Sequence, residues 1–143
     1  MMSDDNPQPK AMTRLVNKLT KEMLWMYILR LLQERPHYGY EIKELITKRF
    51  GFSPATVSGY AIIYRLIKDG LIEEQRKDDS PRKYYAITEK GIKAMSEAKS
   101  FLGKTMNLVF DETEWKVLLK RKQNYTWREF ILQIDKEDEA KDD

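Results

Sequence analysis

The chain has 143 residues, no cysteine, 34% charged residues and a formal net charge of +3. That composition excludes disulfide scaffolds and thiolate metal sites, and no apolar run approaches the ~20 residues of a membrane helix. It fits one intracellular, cytoplasmic domain with an appended arm, and a basic one: six acids and two lysines crowd 135–143, leaving residues 1–134 with 24 basic and 17 acidic groups, a net of +7.

In chain order, residues 1–11 hold two prolines and no periodicity, and read as a flexible arm without the apolar core of a signal peptide. A first helix is expected over 13–34, with a break near Thr20. From Met23 to Leu32 almost every position is apolar, so both sides of this helix need cover. The rest of the domain covers one side, and a second copy covers the other through Met23, Met26 and Tyr27; the alternative is a central core helix in a monomer. The next segment, PHYGYEI at 36–42, starts a helix over about 38–50, with His37 near its cap and no Asp, Glu or Cys at metal spacing around it. Ile42, Leu45, Ile46 and Phe50 form its stripe, Lys48 and Arg49 sit in its last turn, and Gly51 ends it.

The SPATVSGY segment (53–60) offers two starts for the following helix: Ser53 as cap with Pro54 in the first helical position, or Ser58 as cap. Ala61, Ile63, Leu66 and Ile67 give that helix its buried stripe, and Gly70 ends it. Thr56, Ser58, Arg65 and Lys68 occupy the other face. LIEEQRK (71–77) and RKYYAI (82–87) then flank the turn formers Asp78-Asp79-Ser80-Pro81 as a two-stranded hairpin. Tyr85 and Ile87 fall on one of its faces, with Arg82, Tyr84 and Ala86 on the other. Thr88 caps the next helix. Helix, turn, helix, ribbon and helix in this order make a winged helix-turn-helix over 12–91, in a mainly α fold with a small β-hairpin.

Beyond Thr88, Ile92, Met95, Ala98, Leu102, Met106 and Val109 recur at steps of three and four, which is a seam for pairing with a second copy or for folding back on the chain. Asp111-x-x-Glu114 and Thr126-x-x-Glu129 are capping-box pairs that open two further helices. Their stripes, Trp115 with Leu118 and Leu119, and Trp127 with Phe130, Ile131 and Ile134, read first as packing. The second reading is that Trp25, Trp115 and Trp127 line a pocket for a small apolar effector. Residues 92–134 thus form a helical dimerisation region, and 135–143 an acidic tail.

No nucleophile–base pair, paired carboxylates, Gly-rich phosphate loop or metal spacing is present, so the chain reads as no enzyme, with no cofactor and no metal. A reader of double-stranded DNA needs cations for the phosphates and a helix presenting small polar groups to base edges. Thr56, Ser58 and Tyr60 supply hydroxyls in the first half of the second helix, and Arg65 and Lys68 lie further along. Tyr60 serves equally as a core anchor, and Arg65 and Lys68 as a solvated face paired to Asp69 or Glu73. Lys77, Arg82 and Lys83 flank the wing tip, and Tyr38 and Tyr40 stand at a helix N-terminus that can meet a phosphate. The competing reading is a winged helix used as a protein-interaction or assembly module without DNA.

Three motifs carry a family resemblance: PHYGYEI; Tyr60-x-x-Ile63-x-x-Leu66-x-x-x-Gly70-Leu71-Ile72; and PRKYYAITEKG (81–91). In that order and spacing they resemble the winged-helix domain of PadR-like transcriptional regulators over about residues 20–95. Family members commonly carry Thr-Leu-Tyr-Pro on entering the recognition helix, where this chain has Ser58-Gly59-Tyr60-Ala61. The resemblance implies a homodimer formed by the C-terminal helix with the first helix, a palindromic operator, and repression as the usual outcome.

Overall fold

The computed structural model describes residues 9–76 and 79–110. The chain divides into two compact units, one up to Met95 and one from Ser96 onward. The first contains α1 (Lys10–Leu19), a 3-10 turn (Lys21–Met23), α2 (Leu24–Glu34), β1 (His37–Tyr38), α3 (Gly39–Phe50), α4 (Thr56–Lys68), β2 (Ile72–Arg76) and β3 (Lys83–Ile87). A last helix, α5 (Glu89–Phe110), begins in the first unit and supplies the described part of the second.

The expected first helix is two helices, broken at the expected place. Thr20 turns out of the helical region (φ −110°, ψ −85°) while its hydroxyl still donates to the Val16 carbonyl at 2.7 Å. Helix formation already begins at Lys10, within the stretch expected as an arm; residues 1–8 lie outside the described residues. Helix α2 is the centre of the first unit. Leu24, Ile28, Leu29, Leu31 and Leu32 are all buried, and α3, α4 and β3 of the same chain pack on them. These five make up the side of the run expected to pack on the rest of the domain, and the chain's own elements wrap them. Trp25, Met26 and Tyr27 stay half-buried.

The sheet has three strands in the order β1-β3-β2, where the sequence suggested a two-stranded hairpin. His37 pairs with Tyr85 and Tyr38 with Tyr84, which makes β3 the central strand. Ala86, which alternation puts on the face opposite Tyr85, is buried along with it, so β3 is covered on both faces at this point.

Two glycines fix the joints of this unit. Gly70 has φ +77°, which lets the Leu71 amide reach back to the Leu66 carbonyl at 2.9 Å and the Gly70 amide to Ile67 at 3.0 Å, closing α4 in a Schellman motif. Gly91 answers a close approach: a Cβ there would stand 2.2 Å from the Leu71 carbonyl oxygen. Thr88 caps α5 as expected. Its hydroxyl accepts from the Gly91 amide at 3.1 Å and donates to the Gly70 carbonyl at 2.6 Å, tying helix start to wing base.

Candidate nucleic-acid interface

Helices α3 and α4 with residues 51–55 between them form the helix-turn-helix. Gly51 in the left-handed region (φ +77°) ends α3, residues 52–55 belong to neither helix, and Ala55 is extended. Helix α4 starts at Thr56, with its first backbone bond from the Gly59 amide to the Ala55 carbonyl at 2.8 Å. Neither expected cap is used. Ser53 instead shares a hydrogen bond with the Thr47 hydroxyl on α3 at 3.2 Å, while Pro54 is buried, so packing holds 53–55 out of the helix and delays its start. Ser58 is consequently an exposed residue in the first turn, not its cap.

The buried stripe of α4 is Ile63 and Leu66, with Ile62 and Ile67 packed beside them. Ala61 was expected in that stripe and is exposed, since it lies about 200° around the helix from Ile63. Thr56, Ser58, Tyr60, Tyr64, Arg65 and Lys68 are all exposed on this helix. Tyr60 resolves as a mixed residue: its ring lies against the Gly39 backbone, yet 43% of its surface remains accessible. Among the described residues Arg65 and Lys68 form no ion pair, with Asp69 and Glu73 included.

Two residues of this surface were not singled out in the sequence. Tyr64, the most exposed aromatic of α4, sits one turn after Tyr60, and that four-residue spacing of tyrosines was the available signal. Lys43 on α3 donates from Nζ to the Thr56 hydroxyl across the turn, a contact no local pattern announces.

The wing rises from the same base. Arg76 and Lys83 are direct cross-strand partners, two cations side by side, and the Glu74 carboxylate lies 3.9 Å from Lys83 Nζ. Arg82 stacks its guanidinium 4.5 Å from the centre of the Tyr38 ring, and Tyr38 in turn meets Tyr84 edge-on at 5.7 Å. Arg76 is a further residue the sequence reading passed over, although QRK placed it beside Lys77. Lys77 itself lies outside the described residues, as do Trp115 and Trp127.

Tyr38 precedes the first residue of α3 in an extended conformation, and Tyr40 is largely exposed one residue inside the helix. Below them is a charged knot. His37, nearly fully buried, has Nδ1 3.0 Å from Glu41, although the contact lacks the alignment of a proper hydrogen bond; Arg35 reaches the same carboxylate. Burial pushes the Glu41 pKa up, but Arg35 and His37 more than offset it and hold the carboxyl below its ordinary value. The Arg49 hydrogen bond likewise lowers the pKa of Glu34, linking α3 to α2 at 2.6 Å.

The other predicted residues separate by helix. Met23 is half-buried, and Tyr27 is engaged within its own chain, edge-on to Phe50 and Phe52 at 4.9 Å each and donating to the Leu19 carbonyl. On α5, Met95 packs on the core of the first unit while Ile92 is half exposed. In the second unit, Leu102 is half-buried, and Met106 and Val109 are exposed. Trp25 packs beside the core.

Known proteins share this arrangement. Residues 28–97 match the profile of the transcriptional regulator PadR-like family. An uncharacterized protein from Lysinibacillus sphaericus is 43% identical over 77 residues, spanning 49% of this chain and 69% of its own length. Among solved structures, a transcriptional regulator from Clostridium thermocellum superposes with TM-score 0.55 at 29% identity, over 62% of this chain and 92% of that one. A PadR family regulator from Clostridium difficile gives 0.52 at 27%, over 59% and 95%. Another from Eggerthella lenta gives 0.58 at 25%, over 78% and 95%.

Proposed function

We propose, because this chain belongs to the PadR-like family of DNA-binding transcriptional regulators, that it acts as a homodimeric repressor on a palindromic operator. Each copy lays α4 in the major groove and rests its wing on adjacent backbone or minor groove. The observation that carries this reading is the outer surface of α4: exposed hydroxyls at Thr56, Ser58 and Tyr60, followed by Arg65 and Lys68 without ion-pair partners among the described residues. Hydroxyls at the start of such a helix face base edges, and unpaired cations further along reach phosphates.

The wing supports the same reading. Like charges directly opposite on paired strands repel, and Arg76 beside Lys83 is such a pair. A phosphate between them relieves that repulsion. Tyr38 holds Arg82 by its stacked guanidinium, so the third cation of the wing is positioned before any ligand arrives.

Two-fold symmetry follows from the dimer, and a two-fold reader needs inverted half-sites about one helical turn apart. Gel shifts on the DNA upstream of the protein's own coding region test the proposal. A sharp complex that outlasts excess competitor DNA, together with reporter expression that rises on deletion of the protein, is the expected result. Equal affinity for operator and competitor removes the sequence-reading role and leaves an assembly module.

A further inference from the structure

A pocket of about 130 Å³, open to solvent on one side, lies between α2, α3 and the first turns of α4. Ile28, Ile42, Ile46 and Ile63 make its buried floor, while Tyr40 and Tyr60 are exposed at its rim. Trp25, the one described tryptophan considered from the sequence, does not line it. Protein cores rarely leave voids larger than a water molecule, and water gains little from aliphatic walls that offer it no hydrogen bonds. The volume is close to that of an engineered apolar cavity of ~150 Å³ that stays dry and takes up benzene.

We propose that this pocket is a ligand site for an uncharged aromatic molecule of about benzene's size, and that its occupancy is transmitted to α4. The floor decides the chemistry. A charged group would have to shed its water against four isoleucines with no partner there, while the rim cation, Lys43, is already bonded to Thr56. A flat apolar ring replaces empty space with contacts and strips nothing polar of water.

The location decides the consequence. The rim is built from both helices of the reader: Gly39, Tyr40 and Lys43 on α3, Thr56, Gly59 and Tyr60 on α4. A ring seated between them bears on the Tyr60 side chain, which packs on Gly39, and on the Lys43–Thr56 bond, which ties the first turn of α4 to α3. Those contacts set where the hydroxyl-bearing turn stands. A ligand that prefers one setting shifts the population toward it.

The transmission half rests on α4 being the DNA-reading helix; the binding half does not. Benzene itself is the probe, added to the full-length protein below its solubility limit. Thermal melting should rise by at least ~2 °C, and intermolecular NOEs should connect benzene to the methyl groups of Ile28, Ile46 and Ile63. Ile63→Phe fills the space and should abolish the benzene-induced rise. If that variant does not fold, the NOEs on the wild-type protein decide alone. No rise in melting, NOEs only to other residues, or an unchanged rise in a folded Ile63→Phe overturns the site. With operator DNA, saturating benzene should change affinity by about threefold or more. Unchanged affinity overturns the transmission, whereas failure to find any operator sinks the DNA-reading proposal and leaves the melting and NOE results standing.

Discussion

Ser58 is the sharpest residue-scale test, because the late start of α4 takes away its capping role. Among the described residues its hydroxyl has no hydrogen bond, and it lies exposed in the first turn. Ser58→Ala should therefore leave melting unchanged or slightly higher, alanine being the better helix former by up to ~0.7 kcal/mol. A lost base contact would instead reduce discrimination between operator and competitor by ~1–3 kcal/mol. Competitive binding and melting on one variant decide it, and an unchanged specificity ratio removes Ser58 from the readers. Thr56→Ala is less clean, since it also breaks the bond from Lys43. Glu41 makes a second prediction, on pH. Its folded pKa is depressed, so its contribution is present above its ordinary value and is lost as pH falls through the folded one. Glu41→Gln should lower melting at neutral pH and flatten the acid side of the melting-against-pH curve. If the two curves fall in parallel on acidification, the Arg35–Glu41–His37 knot is not what acid dissolves.

At the scale of elements, the hinge of the first unit is the contact of α5 with the end of α4. Gly91 sits where any side chain would press on the Leu71 carbonyl, and that carbonyl also accepts the Thr88 amide at 3.0 Å. Gly91→Ala forces helix and wing base apart, and should destabilise by ~1–3 kcal/mol, the usual range for overpacking, against the gain that Gly→Ala normally brings to a helix. Melting equal to wild type would mean that the base of the wing gives way freely. The wing itself is read by salt. If two copies neutralise roughly 6–10 phosphates, log K against log salt should fall with a slope of about −5 to −9, and replacing Arg76, Arg82 and Lys83 by Ala should flatten it on every DNA tested. An unchanged slope takes the wing off the DNA. Elements of this kind were legible wherever signals were local: Gly51 and Gly70 ended their helices, Thr88 capped α5, and Thr20 broke the first helix. What was not legible depended on distant partners. Two residues of β1 gain strand geometry only by pairing with β3, some 47 positions on. The start of α4 shifts because Pro54 packs into the unit and Ser53 finds Thr47, contacts that capping preferences at SPAT do not announce. The outer surface of α4 was read nearly whole from periodicity, whereas Lys43 entered only through the folded turn.

For the whole molecule, the open matter is what covers its remaining apolar surface. Helix α1 buries none of its residues, yet Met12, Leu15, Val16 and Leu19, at steps of three and one to one another, form a stripe with each 40% or more exposed. Helix α5 leaves Met106, Val109 and Phe110 exposed at 55% or more. Apolar stripes on amphipathic helices are stable in water when something packs on them, and a second copy is the economical cover, because a self-complementary patch closes a two-fold dimer. A dimer of this kind has a thermodynamic signature: its melting temperature rises with protein concentration. Placing Asp at both Leu102 and Met106 sets like charges against each other across the seam and should give monomers by analytical ultracentrifugation. Neither residue belongs to the core of the first unit, so the winged helix should keep its fold and its circular dichroism. The same variant should lose most of its preference for a two-half-site operator over a single half-site, since a monomer engages one half at a time, while the affinity for a single half-site stays close to wild type. A variant that still sediments as a dimer places the seam elsewhere, with the α1 stripe next in line through Leu15→Asp and Val16→Asp.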